Sequence, residues 1–203
     1  MLKRPNRATA EPGQTERASL HELSDADLVQ RVLVGKREAF RFLVERYRQS
    51  VYNLAYSILG SREDAQDIAQ EAFLAAYRRL PELRDWDKFG SWLFGTTRHL
   101  CYVLLRRRRV LGGQVPIEGA DTLAAEARES TEEDHMTMML EAMGGLPDKY
   151  QVLLRLKYLG GYSYKVIAEM MDLPEITVKS RLFEARRMLR ERVALLVRKY
   201  DGS

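Results

Sequence analysis

Thr177, Lys179, Ser180, Arg181 and Arg186 set hydroxyls and cations on successive turns of one segment. That mixture suits phosphate oxygens and the edges of bases. A second cationic set runs from Arg98 to Arg109, with five arginines (Arg98, Arg106, Arg107, Arg108, Arg109) and no acid. Just ahead of it, Trp86, Lys88, Phe89 and Trp92 interleave rings with a cation. Single-stranded nucleic acid needs that pairing, rings to stack on bases and charges to hold phosphates. Phe89, Trp92 and Leu93 also fit a helical core, whereas Trp86 and Lys88 fall in a loop. A third set, Asp64, Asp67 and Glu71, lies at i, i+3 and i+7, an acidic stripe opposite an apolar face. Either a solvated helix face or a docking surface for a basic partner fits it.

Bond-making chemistry has no comparable pattern. His21, His99 and His135 stand apart, the single cysteine is Cys101, and no Cys/His spacing suits zinc. No nucleophile–base pair, carboxylate constellation or phosphate-cradling glycine loop is evident. Cys101 reads more readily as a small buried apolar group than as a redox sensor. The expectation is a binding protein, not an enzyme, with no metal and no cofactor.

The 203 residues carry a net charge of only +4, but the charge is unevenly distributed. Between Ile117 and Glu141 eight acids face one base, Arg128; between Ile176 and Lys199 eight bases face two acids, Glu184 and Glu191. The chain alternates basic, acidic, basic, so two cationic segments are hidden in a modest total. No apolar run nears the roughly 18 residues of a membrane span, and Met1 to His21 lacks an apolar signal region. A cytoplasmic protein without membrane insertion is expected, with residues 1–23 as a disordered leader.

The elements that must position these residues are all helical by period. Ser24 can cap a helix running to about Val34, with Asp25 and Asp27 in its first turn. After Gly35, Phe40, Leu43, Val44, Tyr47, Val51, Leu54, Ala55 and Ile58 recur at three- and four-residue steps. Gly60 stands where a C-cap glycine belongs, Ser61 restarts a helix, and Pro81 ends it. Phe89, Trp92, Leu93, Thr96, Leu100, Val103 and Leu104 mark a fourth helix that closes on the arginine run. From Gly112 to about Ser130 the pattern fails, as in a linker. Helicity resumes near Thr131, breaks at Gly144-Gly145 and Pro147, and breaks again at Gly160-Gly161. Ser163 can then cap a short helix with Val166, Ile167 and Met170 inward and the small Ala168 at a close approach. Asp172-Leu173-Pro174 forms a tight turn into a longer helix whose inward residues read as Ile176, Val178, Leu182, Met188 and Leu189. This is helix-turn-helix spacing. Asp172 takes the turn position where glycine is common, and Asp tolerates a left-handed backbone. The expected fold is all-α in two small domains, 24–110 and 131–203, joined by a flexible acidic linker over 111–130.

These segments resemble bacterial RNA polymerase sigma factors of the extracytoplasmic-function type. Leu146-Pro147-Asp148-Lys149-Tyr150-Gln151-Val152-Leu153-Leu154, Tyr162-Ser163-Tyr164-Lys165-Val166-Ile167-Ala168-Glu169 and Thr177-Val178-Lys179-Ser180-Arg181-Leu182 look like that family's domain four. The resemblance implies contacts with the minus-thirty-five promoter element by Ser163, Tyr164, Glu175, Thr177, Lys179, Ser180, Arg181 and Arg186. Asp64-Ala65-Gln66-Asp67-Ile68-Ala69-Gln70-Glu71-Ala72-Phe73 resembles the region that grips core polymerase, which implies that role for Asp64, Asp67, Gln70 and Glu71. Trp86 through Arg98 resembles the element that melts and reads the minus-ten region. It implies DNA contacts by Trp86, Lys88, Phe89, Arg98, His99, Arg106 and Arg107. The family commonly has an acid at Gln66, so one charge of the acidic stripe is missing here, and Asn at His99 and Asp at Val103, two departures that bear on promoter choice. The implied partners are core RNA polymerase (its beta-prime and beta subunits), promoter DNA and an anti-sigma factor. The resemblance also implies that the linker threads the polymerase cleft; the acids Glu118, Asp121, Glu126 and Glu129 either help it dock there or serve a spacer kept soluble by its charge.

Overall fold

The computed structural model describes residues 22–110 and 138–201, with side chains to Arg198. Residues 1–21 of the leader and the linker 111–130, including Glu118, Asp121, Glu126 and Glu129, lie outside the described residues. Every regular element among the described residues is helical.

The first half holds α1 (Asp25–Leu33), α2 (Ala39–Leu59), α3 (Arg62–Arg79) and α4 (Phe89–Val110). Ser24 caps α1 in a reciprocal box with Asp27: the Asp27 amide donates to Ser24 Oγ, and the Ser24 amide donates to the Asp27 carboxylate. Arg46 and Tyr47 both donate to the Asp25 carboxylate, tying α1 to α2. Gly60 ends α2 in the left-handed region at φ 73°. Ser61 starts α3 by accepting the Asp64 amide at 3.2 Å. Short 3-10 turns, Leu80–Glu82 and Trp86–Lys88, carry the chain into α4. Gly90 is needed in α4 because Tyr47 presses on its backbone: a Cβ there would stand 2.6 Å from Tyr47 Oη.

The second half opens with α5, described over 138–144, then α6 (Asp148–Leu154) and a π-helical turn, Arg155–Leu159. The helix-turn-helix follows as α7 (Tyr164–Met171) and α8 (Glu175–Asp201).

The halves are not two beads on a string. Leu28, Leu43, Leu54 and Phe89 from the first half share one buried cluster with Leu153, Leu156, Ile167 and Met170 from the second. Removing apolar surface from water is worth roughly 25 cal/mol per Å², so this shared cluster favours the packed arrangement. A smaller cluster of Ala55, Leu59, Ala65, Ile68 and Cys101 closes the α2–α3–α4 corner.

Candidate nucleic-acid interface

Ser163 Oγ accepts the Val166 amide at 3.3 Å and so fixes the start of α7. Asp172 ends that helix at φ 55°, ψ 51°, the left-handed conformation expected from the sequence. The Leu173 amide returns to Ala168 O at 2.9 Å, and the Thr177 and Val178 amides donate to Pro174 O. Buried Val178, Leu182 and Ala185 hold α8 against Ile167 and Met170. Ile176 does not turn inward: it is 73% exposed, the second residue of α8 and off the buried face that Val178 begins. The inward role read for it belongs to Ala185, whose small side chain gave a weak periodic signal.

Glu175, Lys179 and Ser180 are exposed on the first turns of α8, and Thr177, Arg181 and Arg186 are half-buried. Lys179 pairs with Glu175 at 2.7 Å. The Tyr164 ring lies between Lys157 Nζ at 4.9 Å and Lys179 Nζ at 5.8 Å from its centroid, a placement in which ring and cations attract. Arg186 donates toward Tyr158 Oη, and that bond raises its pKa above the ordinary guanidinium value. Arg181 turns toward α4. It lines a groove of about 970 Å³ together with His99, Arg106, Arg109, Val103 and Lys149. The two cationic sets, distant in sequence, meet at this groove.

The aromatic element divides. Phe89 is fully buried, with edge-to-face contacts to Tyr47 at 5.7 Å and Phe40 at 6.5 Å between centroids. It is a core residue with no surface left for DNA, a correction to the set read from sequence. Trp86 is half-buried and packs against the same cluster. Lys88 is exposed and pairs with Asp85 at 2.9 Å, which raises the pKa of Lys88 and lowers that of Asp85. His99, Arg106 and Arg107 are exposed along α4. Arg98 is not: its side chain is 16% exposed, donates to Met170 O and stands 3.6 Å from the Asp172 carboxylate.

The acidic stripe also divides. Asp67, Gln70 and Glu71 are exposed on α3. Asp64 is 16% exposed and accepts two bonds from Arg108, at 2.6 and 2.7 Å. A bidentate arginine–carboxylate pair is among the stronger polar contacts, so Asp64 joins α3 to α4.

Sequence reasoning missed Asn53, Ser57, Arg155, Tyr162 and Glu169. Arg155 Nη1 donates to Ser57 O at 3.1 Å, capping the end of α2 from the other half of the chain, and burial pushes its pKa down. Asn53 Nδ2 donates to Tyr162 Oη at 2.9 Å, and Ser91 Oγ to Glu169 Oε1 at 2.8 Å. No helical period could have signalled these, since each pair is 78 or more residues apart. Among the described residues no group of His, Cys, Asp or Glu could hold a metal ion, and no helix is long and apolar enough to cross a membrane.

Residues 43–110 match the family described as Sigma-70 region 2, and residues 136–189 match Sigma-70, region 4. The ECF RNA polymerase sigma-E factor of Haemophilus influenzae is 32% identical over 187 residues, covering 87% of this chain and 98% of the relative. The chain belongs to the extracytoplasmic-function sigma factors. The sigma-E factor of Escherichia coli K12 is also 32% identical, over 194 residues, with 88% and 98% coverage. Among solved structures, that of CnrH in complex with the cytosolic domain of CnrY has a TM-score of 0.57 at 25% identity. It covers 85% of this chain and 96% of the other. The sigma factor RpoE of Bartonella quintana, solved with the anti-sigma factor NepR, shares the fold, with a TM-score of 0.53 at 20% identity over 76% and 96% of the chains. The all-helical, two-domain organisation of this sigma factor therefore agrees with its sequence reading.

Proposed function

We infer that this sigma factor is a transcription initiation factor that binds core RNA polymerase and directs it to specific promoters, acting by binding and not by catalysis. The observation that carries this is the presence, in one chain, of region 2 with an exposed acidic face on α3 and region 4 with a hydroxyl-and-cation face at the start of α8. Asp67, Gln70 and Glu71 form the surface for core polymerase, with Asp64 aligning it through Arg108. Lys88, His99, Arg106 and Arg107 engage the minus-ten region, with Trp86 at the edge of the melted strand. Ser163, Tyr164, Glu175, Thr177, Lys179, Ser180, Arg181 and Arg186 address the minus-thirty-five region, and Arg98 belongs with the minus-ten set. The corresponding domains are 24–110 and 131–203, with 111–130 between them.

Relatives solved with a partner's cytosolic domain or an anti-sigma factor support an inhibitory protein partner for this one as well. The reading places the protein in the cytoplasm, where polymerase works. The deciding experiment adds purified protein to core polymerase and follows co-migration and initiation on a panel of genomic promoter fragments. Selective initiation that core polymerase alone does not give is expected. Absence of both co-migration and initiation would refute the reading.

A further inference from the structure

At about 100° of rotation per residue, Ile176, Lys179, Ser180 and Phe183 project from one side of α8. The buried residues Val178, Leu182 and Ala185 lie on the opposite side. Ile176 is 73% exposed and Phe183 is 63% exposed. Thr177 and Arg181, both half-buried, stand on the flank of the outward side. The middle of that side therefore carries a cation and a hydroxyl, and each end carries a large apolar side chain. Exposed apolar groups scattered singly need no explanation. Two that bracket Lys179 and Ser180 do, because this is the side with which region 4 would enter a groove of DNA.

Ile176 is the apolar group at the reading end. It is the second residue of α8, and in a helix-turn-helix the amino-terminal residues of the second helix reach base edges in the major groove. Val178 fills the core position that helical period offered to Ile176, and among the described residues Ile176 has no place in the buried clusters. Its polar neighbours engage each other to one side of it. Lys179 turns back to Glu175 at 2.7 Å and stands 5.8 Å from the centre of the Tyr164 ring.

The major groove offers an isoleucine one apolar feature, the C5 methyl group of thymine. Over adenine, guanine or cytosine the same side chain would cover donors or acceptors and return no hydrogen bond, which is unfavourable. A hydroxyl or an ammonium group cannot read a methyl group by hydrogen bonding. Resting on the promoter reading above, we propose that Ile176 is a base-reading residue that packs on a thymine methyl group at one position of the minus-thirty-five element. It fixes thymine there by apolar contact, while Lys179, Ser180 and Arg181 address hydrogen-bonding edges and phosphates. Burying one methylene-sized group is worth roughly fourfold in affinity, so a preference of about three- to tenfold is expected.

The test uses holoenzyme assembled with the full chain. Promoters are selected from a DNA pool randomised across the minus-thirty-five region. Each thymine of the selected element is then replaced in turn by deoxyuridine, which lacks only the methyl group. At one position the replacement should weaken promoter binding by wild-type holoenzyme about three- to tenfold. Ile176→Ala holoenzyme should be indifferent to uracil at that position and keep the wild-type response at the others. From the same pool it should no longer select thymine there. In the second arm, 5-methylcytosine at that position should bind wild type more tightly than cytosine does, and Ile176→Ala should bind the two equally. Ile176 is exposed and alanine favours a helix, so the fold is kept. A selected element without thymine, the same response of both proteins to every uracil, or weakened assembly of Ile176→Ala with core polymerase would overturn the proposal and leave the promoter reading intact. Wild-type holoenzyme that selects no sequence from the pool would overturn the promoter reading, and the role of Ile176 with it.

Discussion

The cationic segments of α4 and α8 look alike in sequence and behave differently in the folded chain. In α8 two of the cations pair with acids three or four residues away: Lys179 with Glu175, and Arg187 with Glu184 and Glu191, at 2.7 to 3.4 Å and largely exposed. In α4 two of the arginines reach across the tertiary structure, Arg108 to Asp64 on α3 and Arg98 to Met170 O and Asp172 on the turn before α8. Local pairs on a solvated face hold nothing but their own helix. The long-range pairs join elements. A run of arginines is therefore not one surface, and its members must be sorted by what lies opposite them.

The sharpest way to break this contrast uses the acidic stripe that faces outward. Asp67→Lys with Glu71→Lys should weaken holoenzyme assembly at least about 100-fold, since like charges across an interface cost several kcal/mol. Melting temperature should hardly move, because both residues are exposed. Assembly at wild-type affinity in moderate salt would place the polymerase contact elsewhere.

Arg108→Ala should lower folding stability by about 1–3 kcal/mol, the cost of leaving a partly buried carboxylate without its donors. Denaturant unfolding measures it, and a double-mutant cycle with Asp64→Asn should show strong coupling between the two sites. Additive effects would mean that the pair contributes no joint stabilisation.

Cys101, on the buried side of α4, offers a pH probe. Burial pushes its thiol up to about 12 from the ordinary 9.0. The raised folded value means the thiol favours the fold at pH below 9 and that this contribution fades as pH rises from there toward 12. Alkylation at pH 8 should be negligible until the chain is unfolded. Rapid labelling of folded protein would show that the α2–α3–α4 corner opens.

Arg106→Ala with Arg107→Ala should leave stability unchanged and reduce the salt dependence of promoter binding by about one unit of slope per lost phosphate contact. An unaltered slope would remove both from the DNA surface. The smallest effect is expected in α8: Arg187→Ala should cost no more than about 0.5 kcal/mol, since its partners are exposed and local. A loss as large as that of Arg108→Ala would erase the distinction between the two helices.

The helices, their caps and the turn follow from neighbouring residues alone. The Ser24 and Ser61 caps, the Gly60 terminator and the left-handed Asp172 are decided within a few residues, where backbone hydrogen bonds and steric limits act. Spacing likewise revealed the helix-turn-helix and the exposed acids of α3. What faces what belonged to the tertiary structure. Phe89 became core because Phe40 and Tyr47 arrive from α2, and Ile176 stayed outside because the buried face of α8 begins at Val178. Asp64 left the stripe because Arg108 lies opposite it, and Arg98 met Met170 and Asp172 because the two halves share a core. Helical periodicity carries a residue's angle about its own axis. It carries nothing about a partner 44 or 72 residues away, which only the packing of apolar faces brings within reach.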